Sequence, residues 1–281
     1  MSAVVISAQD VNRLRQLTGA GMMDCKKALS EANGDFEAAV DILRKRGQKV
    51  SSKRADRETT EGVVFVDTYA NDSKGVIFAL GCETDFVARN EEFVAIGKAL
   101  LAAAVANNAT SSEALLTLQH QGRSFAENIT DLIGKIGEKI EVVNFSFVEG
   151  EKLAYYVHSN LKVGVLVSLA NVGSADYNAA GKDVGMQIAA MNPVAVDKDD
   201  VDATILEREL EIGKAKAREE GKPENIVDKI AQGFVQKFYK DSTLLNQQFV
   251  KDAKLSVREY LNSLNKGMTV TVFKRVSLVA E

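Results

Sequence analysis

The chain has 281 residues and a mass of 30.4 kDa, which is enough for two or three domains of ordinary size. Its 46% hydrophobic and 26% charged residues are typical of a globular protein, and no apolar run approaches the ~20 residues of a membrane-spanning helix. The net charge of −4 and the pI of about 5.5 argue against a general nucleic-acid binder, which usually has a strongly basic surface.

The start of the sequence and its cysteines point to one compartment. "MSAVVISAQD" lacks the positive charge and long apolar stretch of a secretory signal, and it lacks the arginines of a transit peptide. Cys25 and Cys82 stand far apart without CxxC spacing, which predicts neither a disulfide framework nor a zinc site. We therefore expect a cytoplasmic protein with reduced thiols.

The first part of the chain predicts three helices. Ser7 can cap the first helix and Asp35 the third, and each of the three helices is followed by a residue that can stop it. We therefore expect helices from Ser7 to Gly19, from about Met22 to Ala32, and from Asp35 to Gly47. Val11, Leu14 and Leu17 form the apolar stripe of the first helix. A basic run, Arg44–Arg54, follows and reads as a solvated linker.

After this run the hydrophobic period becomes strand-like. "EGVVFVDTYANDSKGVIFALGC" contains two β-rich runs joined by "ANDS", which predicts a hairpin. Asn90 then caps a helix, and another helical segment runs from about Phe125 to Ile136.

The same order of strands and helices then appears again. Strands are predicted over "KIEVVNFSFVEG", "KLAYYVHS" and "VGVLVSLAN", and the helix "AAGKDVGMQIAAM" stops before Pro193. The second strand of each half opens with a Gly-Val pair, at Gly75 and Gly164, so we expect a structural duplication. Helical signal dominates from Asp202 to Tyr239, and "SVREYLNSL" and "GMTVTVFKRVSLVA" close the chain as a helix and a strand. The predicted fold class is α+β.

The sequence offers few candidates for covalent chemistry. It contains no phosphate-binding G-x-x-x-x-G-K-[ST] loop, so we do not expect nucleotide hydrolysis. His120 and His158 lie in no metal or triad motif. An enzyme would need Cys82 or His158 as its reactive group, and this alternative is weaker than a binding function.

Two adjacent methionines begin the second predicted helix. Met22 lies over Cys25 and Leu29 on the apolar face, so it fits the core and a partner contact equally well. The neighbours of Met23 one turn on are Lys26 and Lys27. An unbranched apolar side chain among lysines indicates an adaptable contact with another protein.

A second unusual stretch, "CETDFV", follows the second strand of the predicted hairpin. Asp85 and Phe86 lie on the turn that leaves the sheet. A phenylalanine at such a turn is most often part of the core. Alternatively, an exposed phenyl beside a carboxylate can act as a wedge, with the phenyl supplying burial energy and the acid competing for polar or cationic groups.

Together these stretches resemble the elongation factor Ts family, the bacterial factors that exchange guanine nucleotide on elongation factor Tu. "LRQLTGAGMMDCKKAL" is similar to the first signature of that family and "CETDFV" to its second, and "KIGEKI", "YVHSNLKVGVLV", "MQIAAMNP" and "FYKDSTLLNQQFVKD" follow in the family's order. The resemblance runs from about Asn12 to Phe273. The sequence departs from the family where glutamate, asparagine, arginine and proline are usual, at Ala79, Gly81, Lys162 and Gln248.

The resemblance implies a domain organisation. It comprises a ubiquitin-associated-like three-helix head at residues 1–47, a basic linker at 48–61, and a core of two related hairpin-plus-helices subdomains at 62–140 and 141–281, the second with a helical insertion at about 202–240.

The resemblance also implies the residues that contact a partner. In such factors the head and the core bind opposite parts of the GTPase. The turn that carries the Thr-Asp-Phe sequence, here Thr84–Phe86 and called the TDF turn below, inserts its acid and its phenylalanine beside the magnesium and phosphate site of the GTPase. By matching motif positions, the head contact would comprise Arg15, Met22, Met23 and Lys26. The core contact would comprise Thr84, Asp85, Phe86, Val87, Ile136, Gly137 and His158.

The function implied is that of an exchange factor without covalent chemistry of its own. It would bind elongation factor Tu·GDP, disrupt the magnesium and phosphate site, and promote GDP release so that GTP can load. We expect no cofactor, because GDP, GTP and magnesium are bound by the partner GTPase. We expect neither membrane binding nor strong nucleic-acid binding, and a homodimer is compatible with the sequence. The alternative is an RNA- or protein-binding adaptor that uses the helical head, with Arg44–Arg54 as its RNA-contacting arm.

Overall fold

The computed structural model describes residues 6–279; the first five and last two residues, at the ends of the predicted head and second subdomain, lie outside it. The helices are α1 (Ala8–Thr18), α2 (Met22–Glu31), α3 (Phe36–Lys53), α4 (Asp85–Ala88), α5 (Glu91–Asn107), α6 (Ser112–Thr117), α7 (Phe125–Ile136), α8 (Tyr177–Met191), α9 (Ala203–Glu219), α10 (Glu224–Ser242) and α11 (Val257–Leu264). The strands are β1 (Glu61–Tyr69), β2 (Lys74–Cys82), β3 (Gln119–His120), β4 (Arg123–Ser124), β5 (Ile140–Glu149), β6 (Lys152–Val157), β7 (Val163–Ala170), β8 (Gln248–Phe249), β9 (Asp252–Ser256) and β10 (Thr269–Ser277). The predicted α+β class is confirmed.

The chain forms two compact units. Of the described residues, the first unit contains those up to Phe65, Phe78–Phe145 and those from Ser277 onward, and the second contains Val66–Ile77 and Ser146–Val276. The chain passes from one unit to the other within β1, β2 and β5 and at the last residue of β10.

The three predicted head helices are confirmed in the first unit. The Ser7 hydroxyl accepts a hydrogen bond from the Asp10 backbone N–H at 3.0 Å, and Gly19 ends α1 in the left-handed conformation. The Asp35 carboxylate accepts from the Ala38 N–H and begins α3. Small and branched apolar side chains from all three helices form one buried cluster: Val11, Leu14, Cys25, Ala28, Leu29 and Ala39.

The predicted end of the third helix at Gly47 is wrong. Helix α3 continues to Lys53, so residues 48–53 are helical rather than part of a linker. Gly47 is buried where α3 crosses α7, and a Cβ atom placed on Gly134 of α7 would lie 2.6 Å from the Gly47 Cα. The glycine therefore permits a close approach of two helices, a role that has the same sequence signal as a helix stop.

Each of the two expected hairpins forms part of a three-stranded sheet. The first sheet has the order β1-β2-β5, and the turn between β1 and β2 is closed by a 3.3 Å hydrogen bond from the Ser73 N–H to the Ala70 carbonyl. In the first unit, Phe78 stacks between Phe65 and Phe145 with ring centroids 5.6 and 6.1 Å apart. The sequence grouped β5 with the second half of the chain, whereas the structure places it beside β2.

The second sheet lies in the second unit and has the order β10-β7-β6. Strands β6 and β7 pair antiparallel from Lys152↔Leu169 to Val157↔Gly164, which confirms the second hairpin. Helix α8 and residues near the C-terminus cover this sheet, and their buried side chains include Val165, Val167, Val184, Ile188, Leu245, Phe249 and Leu261. Helices α9 and α10 pack against each other, with the predicted interruption at residues 220–223 between them.

Candidate functional site

The turn after β2 presents one large apolar side chain to solvent. Thr84 caps the short helix α4, and its hydroxyl accepts from the Val87 N–H at 3.4 Å. Val87, which the motif predicts as a partner contact, is buried and anchors the inner side of the turn, whereas Phe86 on the outer side is 83% exposed. The interpretation of Phe86 as a core residue is therefore wrong, and the exposed phenyl has the geometry expected for a wedge.

A carboxylate from a distant part of the chain holds this turn. Both oxygens of Glu138 accept hydrogen bonds from Thr84, one from its backbone N–H at 3.0 Å and one from its hydroxyl at 2.7 Å. Hydrogen bonds to a charged acceptor are among the stronger ones in proteins. The cap residue of α4 is therefore fixed from outside the turn.

Glu83, the residue before Thr84, is held by a second contact in which its own carboxylate is the acceptor. The Glu83 carboxylate accepts from the Lys139 backbone N–H at 2.7 Å and from the Arg54 guanidinium at 2.6 Å. Burial alone would raise the pKa of Glu83, but these hydrogen bonds and the positive charges of Arg54 and Arg57 together lower its pKa below the usual value. The carboxylate of Glu138 thus binds Thr84, and the carboxylate of Glu83 binds the backbone of Lys139. These two crossed contacts hold the base of the TDF turn in place.

Asp85 is the acid beside the exposed phenyl of Phe86. Its side chain is 48% exposed and forms a 3.1 Å ion pair with Arg89, one helical turn along the chain. Because Arg89 is itself 81% exposed, solvent screens this pair and it holds Asp85 only weakly. The carboxylate is therefore free to exchange Arg89 for a group on a partner.

Ile136 and Gly137, the other motif residues of the core contact in this unit, lie beside the same turn. Ile136 is the last residue of α7, and Gly137 ends the helix with φ of +84° and donates its N–H to the Ile133 carbonyl at 2.8 Å. Apart from Gly137 itself and its neighbours along the chain, no atom of residues 6–279 lies within 4 Å of the position where a Gly137 Cβ would stand. The backbone next to the Glu138 clamp is thus open to solvent on one side.

The head presents a second apolar surface at the start of α2. Met23 is 64% exposed and Met22 is 55% exposed, which excludes Met22 from the buried cluster of the head and decides the question that its sequence position left open. Arg15 and Lys26 are also exposed and form no ion pair or hydrogen bond through their side chains within residues 6–279. Flexible methionines flanked by cationic groups suit a contact with a partner surface.

Helix α7 connects these two surfaces within the first unit. The Lys135 side chain lies over Gly19, where a Cβ would clash with its ammonium end, and it forms an ion pair with Glu92 of α5. The residue just before Lys135, Gly134, packs against Gly47 of α3. The end of α7 therefore contacts the head just before Met22 and, through Glu138, the TDF turn.

His158 lies in the second unit, in the turn between β6 and β7. It is exposed, its Nδ1 is 2.9 Å from the Tyr156 hydroxyl, and its backbone N–H donates to the Val163 carbonyl. The Leu161 side chain on the same turn is also exposed. The structure thus places His158 on a surface turn, as a contact residue requires.

Sequence reasoning missed several residues of this site. Leu17 was assigned to the apolar stripe of α1, but its side chain is 70% exposed and lies outside the buried cluster of the head. Glu138, Glu83 and Arg54 were not singled out, although Glu138 stands within the quoted "KIGEKI" motif. A carboxylate directly after a helix-ending glycine was the available signal, and its partner 54 positions away was not readable from the sequence.

The reactive groups considered for an enzyme have ordinary structural surroundings. Cys82 is buried, and its thiol donates to the Thr84 carbonyl at 3.2 Å. Within residues 6–279, no cluster of three or more His, Cys, Asp and Glu side chains is arranged to hold a metal ion. Over the same residues, no helix combines the length and apolar character needed to span a membrane.

Comparison with known proteins gives a consistent result. Residues 83–280 match the family model described as elongation factor TS. Proteins named elongation factor Ts from Cytophaga hutchinsonii and Amoebophilus asiaticus are 53% and 49% identical to this chain, with 97% of the chain and 99% of each relative covered. The one from Porphyromonas gingivalis is 46% identical over 99% of the chain and 100% of its own length.

The family model covers well over half of the chain, and these relatives match over nearly their whole length. The predicted resemblance is confirmed, and the chain belongs to the elongation factor Ts family.

Proposed function

We propose that this protein is a guanine nucleotide exchange factor of translation elongation that acts in the cytoplasm on elongation factor Tu. It binds the GDP-bound form, disrupts the magnesium and phosphate site, and promotes GDP release so that GTP can load. The observation that carries the proposal is Phe86, an 83% exposed phenyl on a turn that is immobilised from both sides. Such a side chain gains burial energy only when it inserts into another molecule.

The energetics follow from linkage between two binding sites. If the factor-bound form of the GTPase disfavours magnesium and phosphate, the factor and GDP must weaken each other by the same ratio. Burial of one phenyl supplies roughly 1.5–3 kcal/mol, which corresponds to about one or two orders of magnitude in affinity. The rest of the weakening has to come from the wider interface.

The wedge needs a rigid mount to transmit this energy. The crossed contacts of Glu83 and Glu138 hold the turn, and Asp85 can leave its exposed partner Arg89 to compete for polar or cationic groups of the GTPase. No step makes or breaks a covalent bond in the factor. GDP, GTP and magnesium all belong to the partner, so the factor itself uses no cofactor.

The head supplies a second contact in this proposal. Met22 and Met23, with Leu17 beside them in sequence, provide apolar area, and Arg15 and Lys26 provide positive charge. Because the end of α7 contacts both the head and the TDF turn, the two contacts act as parts of one surface. His158 adds a contact from the second unit.

The proposal is tested by stopped-flow release of a fluorescent GDP from purified elongation factor Tu. We expect the protein to accelerate release, and Phe86→Ala to slow the accelerated release by about one order of magnitude or more while leaving the fold intact. Absence of acceleration by the unmodified protein would overturn the proposal.

The matched control is Ile212→Ala, which removes an exposed apolar side chain from α9 in the second unit. We expect this variant to accelerate GDP release as the unmodified protein does. Equal slowing by both variants would mean that general loss of apolar surface, rather than the wedge, explains the effect.

A further inference from the structure

Gly47 and Arg54 are the members of the basic run Arg44–Arg54 that take part in the contacts described above. Residues 44–53 lie on α3, and one wall of a cleft in the first unit is formed by Arg44, Arg46, Gly47, Lys49, Val50 and Lys53. Residues of α7 and of the β3–β4 region form the opposite wall, and the cleft has a volume of about 700 Å³. This volume lies within the usual range of ligand-binding pockets.

The cleft has an excess of positive charge. Six cationic side chains and two acidic ones line it: Arg44, Arg46, Lys49, Lys53, Arg123 and Lys135 against Asp24 and Asp131. Four of the cations have acidic partners, as Arg46 does with Glu31 at 2.6 Å. Lys49 and Lys53 are exposed, and their side chains form no ion pair or hydrogen bond with any described residue, so their charges are available to a ligand.

The free charges are arranged along a line. Lys49 and Lys53 are one helical turn apart on the same face of α3, and apolar side chains lie next to them in the cleft wall, Leu43 and Val50 among them. A compact anion such as phosphate needs donors that converge on one point. Charges repeated along an apolar row instead fit a chain that repeats carboxylates and apolar groups with the same spacing.

A protein segment fits this wall better than a nucleic acid does. Single-stranded nucleic acids gain much of their affinity from stacking of bases on aromatic rings. Among the described residues that line the cleft, none is aromatic, while Leu17, Val40, Leu43 and Val50 offer aliphatic surface.

We propose that this cleft is a docking site for an acidic amphipathic segment of a partner protein, with its carboxylates on Lys49 and Lys53 and its apolar face on Leu43 and Val50. The site is separate from the Phe86 wedge and does not depend on the exchange activity. It gives the basic run a role in protein recognition, whereas the sequence suggested a linker or an RNA-contacting arm.

The test is fluorescence anisotropy with the full-length protein and a short fluorescein-labelled helical peptide that carries glutamates on one face and leucines on the other. We expect saturable binding that weakens with added salt. The double variant Lys49→Glu/Lys53→Glu should weaken binding roughly tenfold, because two attractions become repulsions. Val50→Thr, which keeps the shape and adds a polar group, should weaken binding as well.

The matched control is Lys45→Glu/Lys98→Glu, which makes the same charge change at exposed positions of the first unit outside the cleft lining. We expect this control to bind the peptide nearly as tightly as the unmodified protein, with the fold of both double variants checked by circular dichroism. Equal weakening by the two double variants, or absence of saturable binding, would overturn the proposal. Tighter binding of a labelled oligouridylate than of the peptide would also overturn it, in favour of a nucleic-acid site.

Discussion

Replacement of Glu138 tests the role of the contacts that hold the TDF turn separately from the role of the Phe86 side chain. Glu138→Ala removes both acceptors of the Thr84 hydrogen bonds, at 2.7 and 3.0 Å, and leaves Phe86 in place. Hydrogen bonds to a charged group contribute roughly 1.5–3 kcal/mol each. Because Glu138 is only half-buried, water replaces part of this, and we take about 1.5 kcal/mol for the pair. That value corresponds to about a tenfold shift from the fixed turn to a loose one.

The assay is GDP release from elongation factor Tu at saturating factor. A turn that is fixed less of the time should slow release by up to about tenfold, while contacts of the head keep the affinity for the GTPase largely unchanged. The variant Glu138→Ala/Phe86→Ala should be no slower than Phe86→Ala alone, because a loose mount has no effect once the wedge is gone.

A control on the same helix tests whether loss of stability explains the effect. The Glu127 carboxylate closes the capping box at the start of α7 by accepting from the Ser124 N–H and hydroxyl. Glu127→Ala should lower the unfolding midpoint of the protein and leave GDP release unchanged. Wild-type release by Glu138→Ala, or independent slowing by the two changes in the double variant, would refute the positioning role.

Three further predictions concern stability. Gly134→Ala should destabilise the protein by about 1–3 kcal/mol, since its Cβ would lie 2.6 Å from the Gly47 Cα. Gly47→Ala, whose nearest new contact is at 3.4 Å, should be neutral or stabilising by up to about 1 kcal/mol. Equal midpoints of urea unfolding for the two variants would contradict this contrast. The lowered pKa of Glu83 gives stability that is complete above the pKa of about 4.5 in the unfolded chain and is lost as the pH falls through the pKa in the folded protein. Glu83→Gln should therefore flatten the pH dependence of urea unfolding below about pH 4.5. Tyr177→Phe deletes a 2.6 Å hydrogen bond to Asp72 in the second unit and should cost roughly 1.5 kcal/mol in the same assay, and an unchanged midpoint would show that water replaces the bond without loss.

Local signals in the sequence predicted most of the elements. Capping side chains such as Ser7 and Asp35, and a left-handed glycine such as Gly19, act on backbone groups within a few residues, so they can be read without knowledge of the rest of the fold. The hairpins were readable for the same reason. The motif positions of Asp85 and Phe86 also located this turn, since the turn is built from adjacent residues.

Tertiary structure decided what depends on residues far apart in sequence. Gly47 lies inside a helix rather than at its end because Gly134 of α7 packs against it. Leu17 and Met22 are exposed although each lies on the apolar side of its helix, and no periodicity within one helix can show which of its residues a neighbouring element covers.

The contacts that hold the TDF turn were also decided by tertiary structure. Glu138 meets Thr84 only because β2 and the end of α7 are brought together by the fold. The sequence by itself therefore determined which side chains this protein presents and on which elements. Only the packing of those elements determined which side chains remain exposed and which groups hold Phe86 in position, since burial and long-range hydrogen bonds are set by contacts between distant segments.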